Sequence, residues 1–248
     1  MQGIIERDPK QVGEGDPWVN DVVKVRQHKW LDDTGDGGLA LKLGTLGGER
    51  VQLYGKWMDE PEMTKEQLQD MAREAETDHA AEQELTAKCH CGGVDLRIKK
   101  ADWFKHDKID GAEGEGKYLA SFCACRSCRL QNGVSLRAFM LVPTKNVTVA
   151  GSGKPLAFGS ALEAAAAEAK STLTSHQSSK DVWWSFCSKC GAGFFCWQGW
   201  RPEKASLSMG VVRGRGTMAR EWVNWRWTVG RRAECIDNEL LESVERLS

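Results

Sequence analysis

The sequence carries no charge excess of either sign: 34 Lys and Arg stand against 35 Asp and Glu over 248 residues. A nucleic-acid binder shows a basic patch or stripe. The one local cluster here, Arg213, Arg215 and Arg220, reads as a solvated strand or loop face, so no nucleic acid is expected as a partner. No apolar run approaches the roughly 18 residues of a membrane-spanning helix, so no membrane is expected either. The opening MQGIIERDPK lacks the apolar stretch of a secretory signal. The expected location is the reducing cytoplasm. There, nine cysteines read as metal ligands or catalytic thiols, and an odd count does not suit a disulfide framework.

What is present is enough apolar material, 41% of the chain, for one domain with a good core or one domain with a smaller companion. Residues 1–38 are polar with turn signals and are expected to hold little structure. Residues 39–57 alternate Leu39, Leu41, Leu43, then Val51 and Leu53, around Gly47-Gly48, which predicts a two-stranded hairpin. Residues 62–84 predict a helix. Thr64 and Gln67 form a capping box, and Leu68, Met71, Ala72 and Ala75 make a narrow apolar stripe. Its row of Glu62, Glu66, Asp70, Glu74, Asp78 and Glu82 must face water, so the helix reads as a solvated connector. The expected division is 1–60, a flanking segment; 61–85, the acidic connector helix; and 86–248, a zinc-binding domain.

From residue 86 onward short strands dominate: 94–98, 136–142, 147–149, 194–197, 205–212 and 222–229. The fold class expected is all-β. The alanine-rich stretch 161–170 is helix-prone but too short to stand alone, and reads as a surface insertion. Residues 233–245 read as a short helix. LALKLGTLGG (39–48) can be laid over ASLSMGVVRG (205–214), so residues 1–57 have a second reading as a degenerate, metal-free repeat. Trp183, Trp184, Trp197 and Trp200 crowd the last cysteine pair, either as packing or as an apolar wall round a pocket.

Seven cysteines form three groups: Cys89-His90-Cys91-Gly92, then Cys123-Ala124-Cys125-Arg126-Ser127-Cys128, then Cys187-Ser188-Lys189-Cys190-Gly191. Zinc takes four thiolates in a tetrahedron when structural, and three protein ligands with an open position when catalytic. Pairing Cys89 and Cys91 with Cys187 and Cys190 completes one site and leaves Cys123, Cys125 and Cys128 for a second, open one. The alternatives are a fourth protein ligand on the trio, or a trio without metal at rest. Cys196 and Cys235 stand alone as packed thiols.

CHCGG, CACRSCRLQNG and FCSKCGAGFF, with RAFMLVPTKNVTVAGSG between them, resemble the family of glutathione-dependent formaldehyde-activating enzyme and centromere protein V. The resemblance covers roughly residues 86–215. It implies an Mss4-like fold of packed, twisted sheets with zinc knuckles. It also implies a structural zinc on Cys89, Cys91, Cys187 and Cys190, and a reactive zinc on Cys123, Cys125 and Cys128. GTLGGERVQLYGKW further resembles the end of such a domain. The chain departs from the family in a charged insertion at 101–117, in the alanine-rich insertion, and in Ala124 where histidine is common.

The expected activity is a carbon–sulfur lyase acting on a small-molecule thiol–aldehyde adduct, with two Zn2+ ions as cofactor. Three thiolates make the open site anionic, which keeps a bound sulfur nucleophilic. Arg126 and Arg129 either offset that charge, bind a substrate carboxylate or lie on a solvated face. His90 and His176 are the candidates for a base. The rival readings are a non-catalytic zinc-stabilised module for protein partners and a redox sensor built on exposed thiols.

Overall fold

The computed structural model describes residues 5–7, 23–57, 61–76, 83–101 and 116–247. Residues 102–115 of the expected insertion 101–117, and the end of the acidic row at Asp78 and Glu82, lie outside the described residues.

The domain is mostly β, as expected. Strands Glu84–Lys88 (β7) and Asp95–Lys99 (β8) pair antiparallel, with Val147–Val149 (β11) and Val212–Arg213 (β16) at the edges of a four-stranded sheet. A seven-stranded sheet holds Leu173–Ser179 (β12), Val182–Cys187 (β13), Gly193–Gln198 (β14), Lys204–Ser208 (β15), Arg137–Pro143 (β10), Tyr118–Cys123 (β9) and Val223–Gly230 (β17) in that spatial order. The alternation of each strand decides how the sheets meet. Leu85, Ala87, Leu96 and Ile98 from one sheet, and Tyr118, Ala120, Met140, Val142, Ala205 and Leu207 from the other, are all fully buried in one core. Each large aliphatic side chain so buried contributes about 1.5–3 kcal/mol. The Tyr118 hydroxyl, buried among them, donates to Lys99 O at 2.6 Å and accepts from Asn146 Nδ2 at 3.0 Å.

Helix α1 spans Lys65–Glu76. Its capping box forms as expected: Thr64 N donates to Gln67 Oε1 at 2.8 Å, and Gln67 N to Thr64 Oγ1 at 3.2 Å. The expected extension to residue 84 does not hold, because Glu84 already opens β7. Pairing of Leu85 and Ala87 with β8 imposes a two-residue period there. Nor is the helix only a solvated connector. Leu68 is buried against Leu31, Ala40 and Leu53, and Ala72 is buried as well.

The N-terminal reading needs two further corrections. Residues before 38 are not structureless: Ile5–Arg7 (β1) pairs with Val23–Val25 (β2), and Gln27–His28 (β3) runs parallel to Gln52–Leu53 (β6). The run 39–43 is no strand either. Gly38–Leu41 is a 3-10 turn, and the buried positions are Ala40 and Leu43, three apart rather than two. Only Thr45–Leu46 (β4) and Glu49–Arg50 (β5) form the hairpin, around Gly47 and Gly48 at φ 56° and 82°. Over the positions laid together as a repeat, a 3-10 turn therefore faces a β15 strand. Asp36, buried, fastens this segment by accepting from Thr217 Oγ1 at 3.0 Å and Met218 N at 2.8 Å.

Helix α2 spans Arg126–Asn132, α3 Leu162–Glu168 and α4 Asn238–Glu245. The alanine-rich helix α3 is more than a surface insertion, since Leu162 and Ala166 enter the main core. Asp237 caps α4 by accepting from Leu240 N at 2.9 Å. Leu240, Leu241 and Val244 then pack with Leu43, Leu46 and Val51 against Phe122 and Val229. The N-terminal segment thereby buttresses the β9–β17 end of the large sheet.

Candidate metal centre

Two knuckles from different sheets meet at the first cysteine group. Cys89 follows β7, and Cys187 ends β13. Glycines at φ 72° (Gly92) and 75° (Gly191) turn the chain back, with Gly92 N donating to Cys89 O at 3.1 Å and Gly191 N to Cys187 O at 2.8 Å. The sulfurs of Cys89, Cys91, Cys187 and Cys190 all lie within 4.8 Å of one another. Cys89–Cys91 and Cys91–Cys187 are 3.5 and 3.6 Å apart. A zinc ion with bonds of ~2.3 Å sets tetrahedral sulfurs about 3.8 Å apart, so the donor set fits. Burial works upward on Cys187, but the Thr172 hydroxyl at 3.1 Å and the N–H groups of Cys190 and Lys189 carry its thiol down to about 6. On Cys91 the Gly93 N–H works downward, yet burial and the three neighbouring thiols push it up to about 12.

The second group is local. Cys123 ends β9, Cys125 is the N-cap of α2, and Cys128 lies in the helix's first turn, donating its N–H to Cys125 Sγ at 3.4 Å. Their sulfurs also fall within 4.8 Å of one another, and among the described residues this group holds three donors, not four. Cys123 and Cys125 are half-exposed while Cys128 is buried. The S–H of Cys128 brings Cys123 down to about 6, against burial, and the same pairing with Cys123 drives Cys128 up. Ala124 is fully buried in the cluster shared with α4. Arg129 Nε donates to Ala124 O at 3.0 Å, Asn132 Nδ2 to Cys128 O at 2.8 Å, and Arg126 N to Glu234 at 2.9 Å. These bonds hold the loop that carries the trio.

The trio sits on the sheet face opposite the core. Directly opposed residues of neighbouring strands point to the same side. Arg137 is opposite Cys123, Phe139 opposite Ser208, and Cys196 lies between Ser206 and Trp184. Trp184 and Cys196 pack with Cys128 in one small buried cluster. Trp184 is thus a wall beside the trio, while Trp200 is 63% exposed. Trp197 stacks on Phe158 and donates Nε1 to Pro202 O. Cys196 is a packed thiol as expected, but packed against the trio. Cys235 is half-buried and donates to Asp237 O at 3.3 Å. His90 and His176 are exposed, the latter edge-on to Phe186. Arg137 was missed by sequence reasoning; a charged residue opening an otherwise apolar strand was the available signal. A cleft of about 580 Å³ between α1 and residues 40–53 is lined by no cysteine.

Residues 84–226 match the family model described as glutathione-dependent formaldehyde-activating enzyme. The chain belongs to that family. No curated protein matches it significantly. Among solved structures it is similar to the crystal structure of a Rhodobacter sphaeroides protein, at 18% identity and a TM-score of 0.35, over 57% of this chain and 99% of that one. The family match spans both cysteine groups and ends within β17, so α1, α4 and the N-terminal strands lie outside the matched residues. Among the described residues no helix is long and apolar enough to cross a membrane.

Proposed function

We propose that this family member is a zinc-dependent carbon–sulfur lyase-type enzyme, acting on the adduct of a small thiol, glutathione or a relative, with an aldehyde. The observation that carries the reading is the inequality of the two cysteine groups. Four sulfurs complete a tetrahedron at the junction of the sheets, whereas three gather on one loop with two side chains reaching solvent. Zinc held by the trio supplies a coordination position for a substrate sulfur in its thiolate form.

In the cleavage direction the adduct's hydroxyl gives up its proton, and the O–H pair forms the carbonyl. The carbon–sulfur bond breaks with its pair left on sulfur, so thiolate and aldehyde leave, and the proton restores the thiol. Addition runs the same steps backward. Cys123, Cys125 and Cys128 form the cradle, Trp184 walls off one side, and the α2 hydrogen bonds hold the loop. His90 and His176, both exposed, are not assigned the proton transfer. Nine reduced cysteines suit a cytoplasmic setting. The division into flank (1–60), connector (61–85) and zinc domain (86–248) belongs to the same proposal, and the core shared by Leu43 and Leu241 supports a buttressing role for the flank.

The test is metal counting with Cys125→Ser. Two zinc ions in the wild type, one in the variant and loss of turnover of a hemithioacetal are expected. Full metal content and full activity in Cys125→Ser would end the lyase reading and leave a zinc-stabilised interaction module.

A further inference from the structure

Arg137 is 3% exposed, yet it has no carboxylate within ion-pairing distance among the described residues. Its partners are neutral. Nε and Nη2 donate to Ser208 Oγ at 3.3 and 3.1 Å, and Nη2 donates to Ser206 O at 2.8 Å. The guanidinium stacks 5.1 Å from the Trp184 ring and 5.6 Å from that of Phe139. A buried cation without an opposing charge is costly, and a chain that retains one has an anion to set against it. The available anions are the thiolates. Arg137 is the cross-strand partner of Cys123, and its guanidinium lies over Trp184, which packs with Cys128 and Cys196. No other described arginine near the trio is comparably buried: Arg126 is exposed and Arg129 and Arg201 are intermediate.

We propose that Arg137 is a positioning residue that offsets the trio's negative charge from beneath and so allows a fourth, substrate thiolate to join three protein thiolates. The inference rests on the open-site reading above and adds a requirement to it. Three thiolates with a divalent ion carry one net negative charge, and a substrate thiolate makes it two. A fixed guanidinium in the low-dielectric layer under the loop removes one of these, where solvent cannot. Ser206 and Ser208 fix the fork without neutralising it, which leaves its charge uncompensated beside the cluster of Trp184, Cys196 and Cys128. The guanidinium recognises the charge of any thiolate, so the inference concerns the sulfur end of the substrate and not its remaining groups.

The test uses the full chain loaded with Co2+, whose absorption reports thiolate ligation, in the wild type, R137Q and R137K. Titrants are 2-mercaptoethanol, which brings only a thiol, and glutathione, which also brings carboxylates. R137Q should weaken both thiols by a similar factor, about tenfold or more, and R137K should stay within about threefold because it keeps the charge. R137Q should also release trio metal to a chelator faster, with the four-cysteine site retaining its ion as a control for folding. If R137Q does not fold, Ser208→Ala, which only loosens the fork, should give a smaller shift of the same sign in both readouts. Thiol affinity and metal release unchanged in R137Q would overturn the inference, as would a loss confined to glutathione, which would mean a carboxylate anchor. A wild type whose spectrum ignores added thiol would overturn the open-site reading itself. The chelator readout would then still report whether Arg137 offsets the three protein thiolates.

Discussion

The two cysteine groups use the same atoms to opposite ends. Cys89 and Cys91 belong to the small sheet and Cys187 and Cys190 to the large one, 96 residues further on, so closing that tetrahedron joins two layers. Cys123, Cys125 and Cys128 span six residues of one loop and helix start, so gathering them closes nothing beyond themselves. In the function proposed above, metal on the first group would stabilise the fold, whereas metal on the second would mainly serve chemistry. The contrast teaches that sequence separation between ligands decides whether a thiolate group ties distant elements together or only its own loop.

The strongest challenge to that contrast is Cys187→Ser. It should cost more than ~4 kcal/mol of stability, seen as insoluble protein or a collapsed thermal transition, because it opens the seam between the sheets. A Cys187→Ser protein that melts like the wild type would erase the distinction. Cys128→Ser should do the reverse: turnover falls about a hundredfold or more and one metal is lost, while the melting curve barely moves. In the metal-free protein, alkylation should distinguish neighbours within the trio. The thiolate of Cys123 forms once pH rises through about 6, while Cys128 stays protonated, so at neutral pH mass-mapped labelling of Cys123 should lead by about tenfold. Equal labelling would show that the two do not share a proton as their contact implies. Thr64→Ala is the mildest probe. Removing the capping box of α1 should cost about 1 kcal/mol in urea unfolding and leave both metal counts unchanged, since α1 touches neither site.

The strands were legible where one face is buried and alternation is strict, as at Leu96 and Ile98. The α1 cap was legible because Thr64 and Gln67 interact within one turn. Reading failed where a distant partner overrides a local pattern. Leu39, Leu41 and Leu43 alternate like a strand, yet packing against α1 selects Ala40 on a 3-10 turn and packing against α4 selects Leu43 just beyond it. The helix was expected to run as far as residue 84, but pairing with β8 draws Glu84 into a strand. The alanine run hid two core positions because alanine is equally at home on a surface.

By itself the sequence determined the thiol grouping: seven sulfurs in three tight groups, with turn glycines beside two of them, in a chain of balanced charge. Short-range spacing is enough for that, since a metal knuckle is built from a few adjacent residues. Only the tertiary structure decided what lies beneath the trio. Strand register set Arg137 against Cys123 and brought Trp184 and Cys196 in from β13 and β14. That placement depends on the pairing of β10 with β15, which sets Arg137 beside Ser208, 71 residues further along the chain, and no local pattern encodes it.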